Sequence, residues 1–372
     1  MRVVVAPDKF KGSLTALEVA RAVATGLTRG RLDIETTLLP VADGGDGTVQ
    51  AALSVGYEPV SVDSVGPTGE PLTATYAWTG TRAVVELAAV VGLDLLPDHR
   101  LDPLGASTYG LGVVLRHAFE RGADQVVLGV GGSASSDGGA GMVQAMGARL
   151  VGADGAEVAR GGAALSDIDS VEFTALRDLI GSAEVLVASD VDNPLLGPRG
   201  AVAVFGPQKG AVRGDLDVLE AALSQWARVV AAAIGRDVAE QPGAGAAGGT
   251  GFAAVALLGA QIRPGIELVM ELLDFEAALE GADLVVTGEG SLDEQSLGGK
   301  APIGVSEAAR GHGIPVVAVA GRSLLSRERL AAAGISAAYP LSDLEPDVGR
   351  SMANAAPLLA TLGERITQDW LR

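Results

Sequence analysis

Residues 2–30 read RVVVAPDKFKGSLTALEVARAVATGLTRG, one strand, one loop and one helix in succession. The β-branched run at 2–6 predicts a buried strand that stops at Pro7 and Asp8. Thr15 and Glu18 have the spacing of a capping box, Leu17, Val23 and Leu27 form an apolar stripe, and Gly30 closes the segment. Similar β-branched runs at 36–42, 125–130, 184–188, 284–287 and 315–320 alternate with longer Ala/Leu-rich stretches. That pattern predicts an α/β fold built on a parallel sheet.

One region has a different texture. PLTATYAWT at 71–79 alternates like a half-exposed antiparallel strand, and 82–87 can pair with it across a turn at 79–81. We therefore expect two domains: a parallel-sheet domain made of residues 1–64 and 262–372, and an inserted mixed α/β domain at 65–261. The Gly/Ala-rich stretch 243–251 reads as a hinge or loop near the end of the insertion. GGAG at 138–141 and GGTG at 248–251 echo each other, an echo that 52 glycines readily produce by chance.

Composition narrows the function. A chain of 372 residues that is 48% hydrophobic can bury two cores. A net charge of −19 repels nucleic acid and anionic membranes, and 3% aromatic content offers few platforms for stacked bases. The same field repels a nucleotide, so an enzyme using ATP needs a cation and backbone donors to offset it. The chain has no cysteine, which rules out disulfides and thiolate chemistry. It has no signal-like N-terminus and no apolar stretch of membrane-spanning length, so a cytoplasmic protein is expected.

Ligands of open α/β sheets sit at the carboxyl ends of strands, so the residues after each strand matter most. The first strand leads to Asp8, Lys9 and Lys11; the second to DGGDGT, with Asp43 and Asp46; the run at 284–287 to GEGSLDE, with Glu289 and Asp293. Two lysines beside a helix start suit an anion, though they read equally as a solvated loop. Two aspartates separated by glycines suit Mg²⁺, or simply an Asp-Gly turn. GVGGSASSDGGAG at 129–141 has the glycines and hydroxyls of an anion-binding nest, or of a structural loop in which Asp137 caps a helix. Asp190 and Asp192 follow the strand at 184–188 and suit proton transfer, metal binding or capping, and Lys209 lies in a turn, FGPQKG.

No P-loop is present; the GGKA at 298–301 lacks its upstream glycine and hydroxyl residue. A formal G-x-G-x-x-G at Gly243, Gly245 and Gly248 follows no clear strand, and three scattered histidines give no local support for a zinc site or triad.

Seven segments together resemble the motifs of bacterial type-1 glycerate kinases: APDKFKGSLTALEVA (6–20), PVADGGDGTVQAAL (40–53), STYGLG (107–112), GVGGSASSDGGAG (129–141), SDVDNPLLG (189–197), FGPQKGA (205–211) and VTGEGSLDEQSLGGKAPIGV (286–305). They occur in the family's order and span nearly the whole chain. The resemblance implies a discontinuous Rossmann-like domain, an inserted α/β domain and an active site in the cleft. It also implies ATP as co-substrate, Mg²⁺ as metal and D-glycerate as acceptor, with 2-phosphoglycerate as product and phosphorylation at the 3-hydroxyl as the alternative.

On that footing Lys9 and Lys11 are expected at the transferring phosphate or the glycerate carboxylate. Asp43, Asp46 and Asp293 are expected at Mg²⁺, and Ser133, Ser135 and Lys209 at phosphate or substrate oxygens. Asp190 is expected to take the proton of the acceptor hydroxyl, with Ser107 and Thr108 as further contacts for the substrate carboxylate. A nicotinamide-dependent oxidoreductase and a non-catalytic ligand-binding protein are the competing readings. The sequence does not set the oligomeric state.

Overall fold

The computed structural model describes residues 1–371. The chain forms two compact units: Met1–Asp43, Gln50–Gly56 and the chain from Ile266 onward in the first, Gly44–Val49 and Tyr57–Gly265 in the second.

The first unit carries five parallel strands, numbered along the whole chain: β1 (Arg2–Pro7), β2 (Glu35–Leu38), β11 (Leu284–Leu292), β12 (Val316–Ser323) and β13 (Ala337–Pro340). Their order is β13-β12-β11-β1-β2. Alternation along β1 sends Val3 and Val5 into one core and Val4 and Ala6 into the other, so the sheet is covered on both faces. On the first face the helices Ala16–Gly30 and Ala355–Trp370 touch backbone to backbone. A Cβ on Gly26 would sit 1.9 Å from the Ala360 carbonyl oxygen, so glycine is required there. The predicted capping box is present, with the Glu18 amide donating to Thr15 Oγ1 (3.3 Å) and the Thr15 amide to Glu18 (2.8 Å).

β2 is shorter than the run at 36–42 suggested. Pro40 has no N–H to give the ladder, although Leu39 and Val41 still donate to the carbonyls of Val5 and Pro7.

The second unit holds β3 (Glu58–Val65), β4 (Pro71–Thr79), β5 (Arg82–Glu86), β6 (Gln125–Gly129), β9 (Glu184–Ala188) and β10 (Gln261–Arg263) in one sheet, ordered β10-β9-β6-β5-β4-β3. β7 (Arg149–Gly152) and β8 (Ile168–Glu172) form a separate antiparallel pair. The β3–β4–β5 meander is antiparallel and the rest of the large sheet is parallel.

β3 pairs with β4 along its whole length, so the long second segment of this unit begins at Tyr57 rather than at residue 65, and Gly44–Val49 joins the unit ahead of it. The stretch 243–251 is no hinge either. Ala244, Ala246, Gly248 and Thr250 are buried, and Ala247, Gly248 and Gly249 have positive φ. A Cβ on Gly248 would lie 2.1 Å from the Ser135 carbonyl oxygen; its glycine serves close packing, not motion. The echoing segments 138–141 and 248–251 pack on each other, with the Gly138 amide donating to the Gly248 carbonyl (3.0 Å). Among the described residues no helix is long and apolar enough to cross a membrane.

Candidate active site

In the first unit the sheet order reverses between β1 and β11: β2 lies on one side of β1, and β11, β12 and β13 on the other. The carboxyl ends of strands at such a reversal leave a crevice where ligands of α/β sheets bind. A cavity of about 660 Å³ opens there, bordered by Asp8, Lys9, Lys11, Asp43, Glu289 and Asp293, among others.

Asp8 and Lys9 directly follow β1, Glu289 lies on β11 and Asp293 directly follows it. The Asp8 amide donates to the Gly288 carbonyl (2.7 Å), extending the β1–β11 pairing by one bond, and Asp8 Oδ1 accepts from the Lys9 amide (2.6 Å). Burial, and then the Asp43 carboxylate, push the Asp8 carboxyl up to about 7. Glu289, on β11 one residue past its pairing with β1, is only 7% exposed; its carboxyl is raised chiefly by burial, and its Oε1 has no hydrogen-bond partner. Lys300 Nζ stands 4.0 Å from Glu289 Oε2. Lys300 is also the N-cap of the helix Ala301–Gly311. Asp293 is partly engaged locally: Oδ1 accepts from the Gln295 amide (3.0 Å) and Oδ2 from Ser291 Oγ (3.3 Å). Lys11 is exposed and Lys9 half-buried.

The sequence marks Asp8 and Glu289 only as acids after strands, and Lys300 only as the lysine of an incomplete P-loop pattern. The legible signal was position: Asp8 follows the last residue of β1, and Glu289 is the register neighbour of the strand pair's end.

The second unit contains the other predicted residues. In DGGDGT the glycines do steric work. A Cβ on Gly44 would fall 2.6 Å from Gly265 Cα, and one on Gly131 would fall 2.8 Å from Gly45 Cα. Glu86 accepts from the amides of Gly47 (3.1 Å) and Val49 (3.2 Å), holding this loop, while Asp46 is exposed.

The loop 129–141 is tied from both sides. Asp137 is fully buried and accepts from Ser107 Oγ (3.1 Å), from the Thr108 amide (2.7 Å) and Oγ1 (2.9 Å), and from the amides of Gly139 and Gly141 (both 3.2 Å). The hydroxyls of Ser107 and Thr108 are thus directed at Asp137. Lys209, 2% exposed, donates to Ser133 Oγ (2.8 Å) and to the Ser135 carbonyl. Burial drives its amine down to about 7, and Asp137 opposes that shift. The hydroxyls of Ser135 and Ser136 are buried without partners. Asp190 is exposed, and its Oδ1 accepts from the Gly265 amide (2.8 Å). Asp192 forms an exposed ion pair with Arg199 at 3.4 Å.

Chemically, the first unit offers carboxylates and ammonium groups around an open cavity, and the second a rigid loop with two unsatisfied hydroxyls. Among the described residues no three His, Cys, Asp or Glu side chains are grouped to hold a metal by themselves.

The model of the glycerate kinase family matches residues 3–371. Glycerate kinase of Halalkalibacterium halodurans is 42% identical over 98% of this chain and 97% of its own. Glycerate 2-kinase of Escherichia coli is 43% identical over 86% of this chain and 85% of its own. A crystal structure assigned to glycerate kinase 2 of Salmonella typhimurium LT2 superposes with a TM-score of 0.86 at 40% identity, covering 100% of both chains. The chain belongs to the bacterial type-1 glycerate kinase family and is an ATP-dependent phosphotransferase acting on a small hydroxy acid.

Proposed function

We propose that the protein transfers the γ-phosphoryl group of ATP to the 2-hydroxyl of D-glycerate. The observation that carries this reading is the cavity at the β1–β11 reversal, where lysines stand with several carboxylates, one of which, Glu289, keeps a buried oxygen without a partner. The name of the Escherichia coli relative supports the 2-hydroxyl over the 3-hydroxyl.

Phosphoryl transfer depends on positioning and charge neutralisation more than on covalent chemistry. Lys9 and Lys11 neutralise the transferring phosphate, and Lys300 joins them from the helix start. The donor set at the cavity fits a divalent cation: Glu289 has an orphaned buried oxygen, and Asp43, Asp293 and Glu289 all border the same cavity. Mg²⁺ keeps several waters and phosphate oxygens, so it needs only one or two carboxylates, not a preformed cage. One or two of Asp43, Asp293 and Glu289 would hold it, directly or through water, and it would offset charge on the ATP phosphates. Asp46 is assigned no ligand. Asp190, anchored by the Gly265 amide, orients the acceptor hydroxyl and accepts its proton. Ser133 and Ser135 offer hydroxyls to substrate oxygens. Ser107, Thr108 and Lys209 act behind them, by fixing Asp137 and the loop.

Phosphorus NMR of the purified chain with ATP, Mg²⁺ and D-glycerate tests the reading. A 2-phosphoglycerate resonance is expected; ADP release without a phosphorylated acid, or no turnover, would refute it. Asp190→Asn should lower turnover by about two to four orders of magnitude with unchanged folding.

A further inference from the structure

The first-unit cavity has a feature that a three-carbon acid does not explain. Val348 and Met352 lie four residues apart on the short helix Val348–Ala353, hence on one face, and they are 68% and 42% exposed. Both border the cavity, with Pro346 beside them and buried Phe10 and Leu341 behind. Exposed large apolar side chains grouped at a cavity mark a surface that an apolar ligand covers. Glycerate has no such surface. A purine does, and its nucleotide has the phosphates that the neighbouring Lys9, Lys11 and Lys300 attract.

The size agrees. Pockets for ligands of nucleotide size run to roughly 300–1,000 Å³, and this one measures about 660 Å³. Local structure holds the apolar rim in place against the lysine loop: Ser13 Oγ donates to the Met352 carbonyl (2.8 Å), and a Cβ on Gly12, whose φ is +75°, would meet the Met352 ε-methyl at 3.1 Å.

We infer that this cavity is the nucleotide subsite, with the adenine lying on the Val348–Met352 face and the phosphates at Lys9, Lys11 and Lys300. The inference deepens the kinase reading and rests on it for the identity of the nucleotide. It adds a base-recognising surface outside every motif that carries the family resemblance.

Calorimetric titration of the full chain in EDTA with ADP, and separately with adenosine, tests it without any metal or acceptor. Met352→Glu and Val348→Glu alter exposed side chains and should each weaken both ligands about tenfold or more. Lys300→Met should weaken ADP by a similar factor and leave adenosine unchanged. In turnover, Met352→Glu should raise KM for ATP while KM for D-glycerate stays within about twofold. Unchanged ADP affinity in both glutamate variants, or a rise in KM for glycerate alone, would overturn the assignment. Failure of the NMR assay with intact, variant-sensitive ADP binding would instead sink the acceptor and spare the subsite.

Discussion

Charged groups meet opposite fates in the two units. Around the loop 129–141, Asp137 is saturated by five donor groups, and Lys209 is buried with two acceptors. At the β1–β11 strand ends, Glu289 keeps an oxygen without a partner and Asp8 is pushed towards neutrality. The difference teaches that motif residues of the same chemical type do different work according to how completely the protein itself satisfies them. A saturated charge fixes the backbone. An unsatisfied one awaits a ligand.

The largest effect should come from Asp137→Ala. It strands several buried donors and leaves Lys209 without its counter-charge, so a loss of about 3–5 kcal/mol is expected. A urea midpoint that stays at the wild-type value would break the contrast. Glu289→Gln should do the reverse: unchanged or higher thermal stability, with turnover down about a hundredfold. Weaker Mn²⁺ binding in the presence of ADP, followed by electron paramagnetic resonance, would tie that loss to the cation.

A pH series sharpens the comparison further. The Lys209 amine falls to about 7 in the fold from its ordinary value of 10.5. Between those values the unfolded chain binds the extra proton, so stability should rise with pH and be lost as pH falls through 7. Lys209→Met should abolish that rise, measured as unfolding midpoints from pH 7 to 10. A slope identical to wild type would show that the lysine is charged throughout. Least affected should be Asp192→Ala, which removes an exposed ion pair and should shift stability by about 0.5 kcal/mol or less.

Much of this was legible in the sequence because it is local. The capping box at Thr15, the alternation at 71–79 and the acidic strand ends all depend on near neighbours. The rest depends on what lies far along the chain. Nothing in FGPQKG announces that Lys209 is enclosed, since its partners Ser133 and Ser135 are more than seventy residues away. The stretch 243–251 resembled a hinge because glycine permits motion and close approach alike, and only the Ser135 and Gly138 backbones facing it decide between them. Val348 and Met352 belong to no motif, and only their exposure at the cavity sets them apart.

The β1–β11 pairing has a consequence for how the chain is made. Val3 sits opposite Leu284, so the middle of the first sheet joins segments separated by most of the polypeptide. A ribosome emits β1 long before its neighbour β11 exists, while the segments of the second unit, 44–49 and 57–265, have all emerged before β11 does. The first unit must therefore wait with its strands open. Through that interval β1 has no β11 to pair with, so its backbone donors and acceptors on that side stay open to other chains.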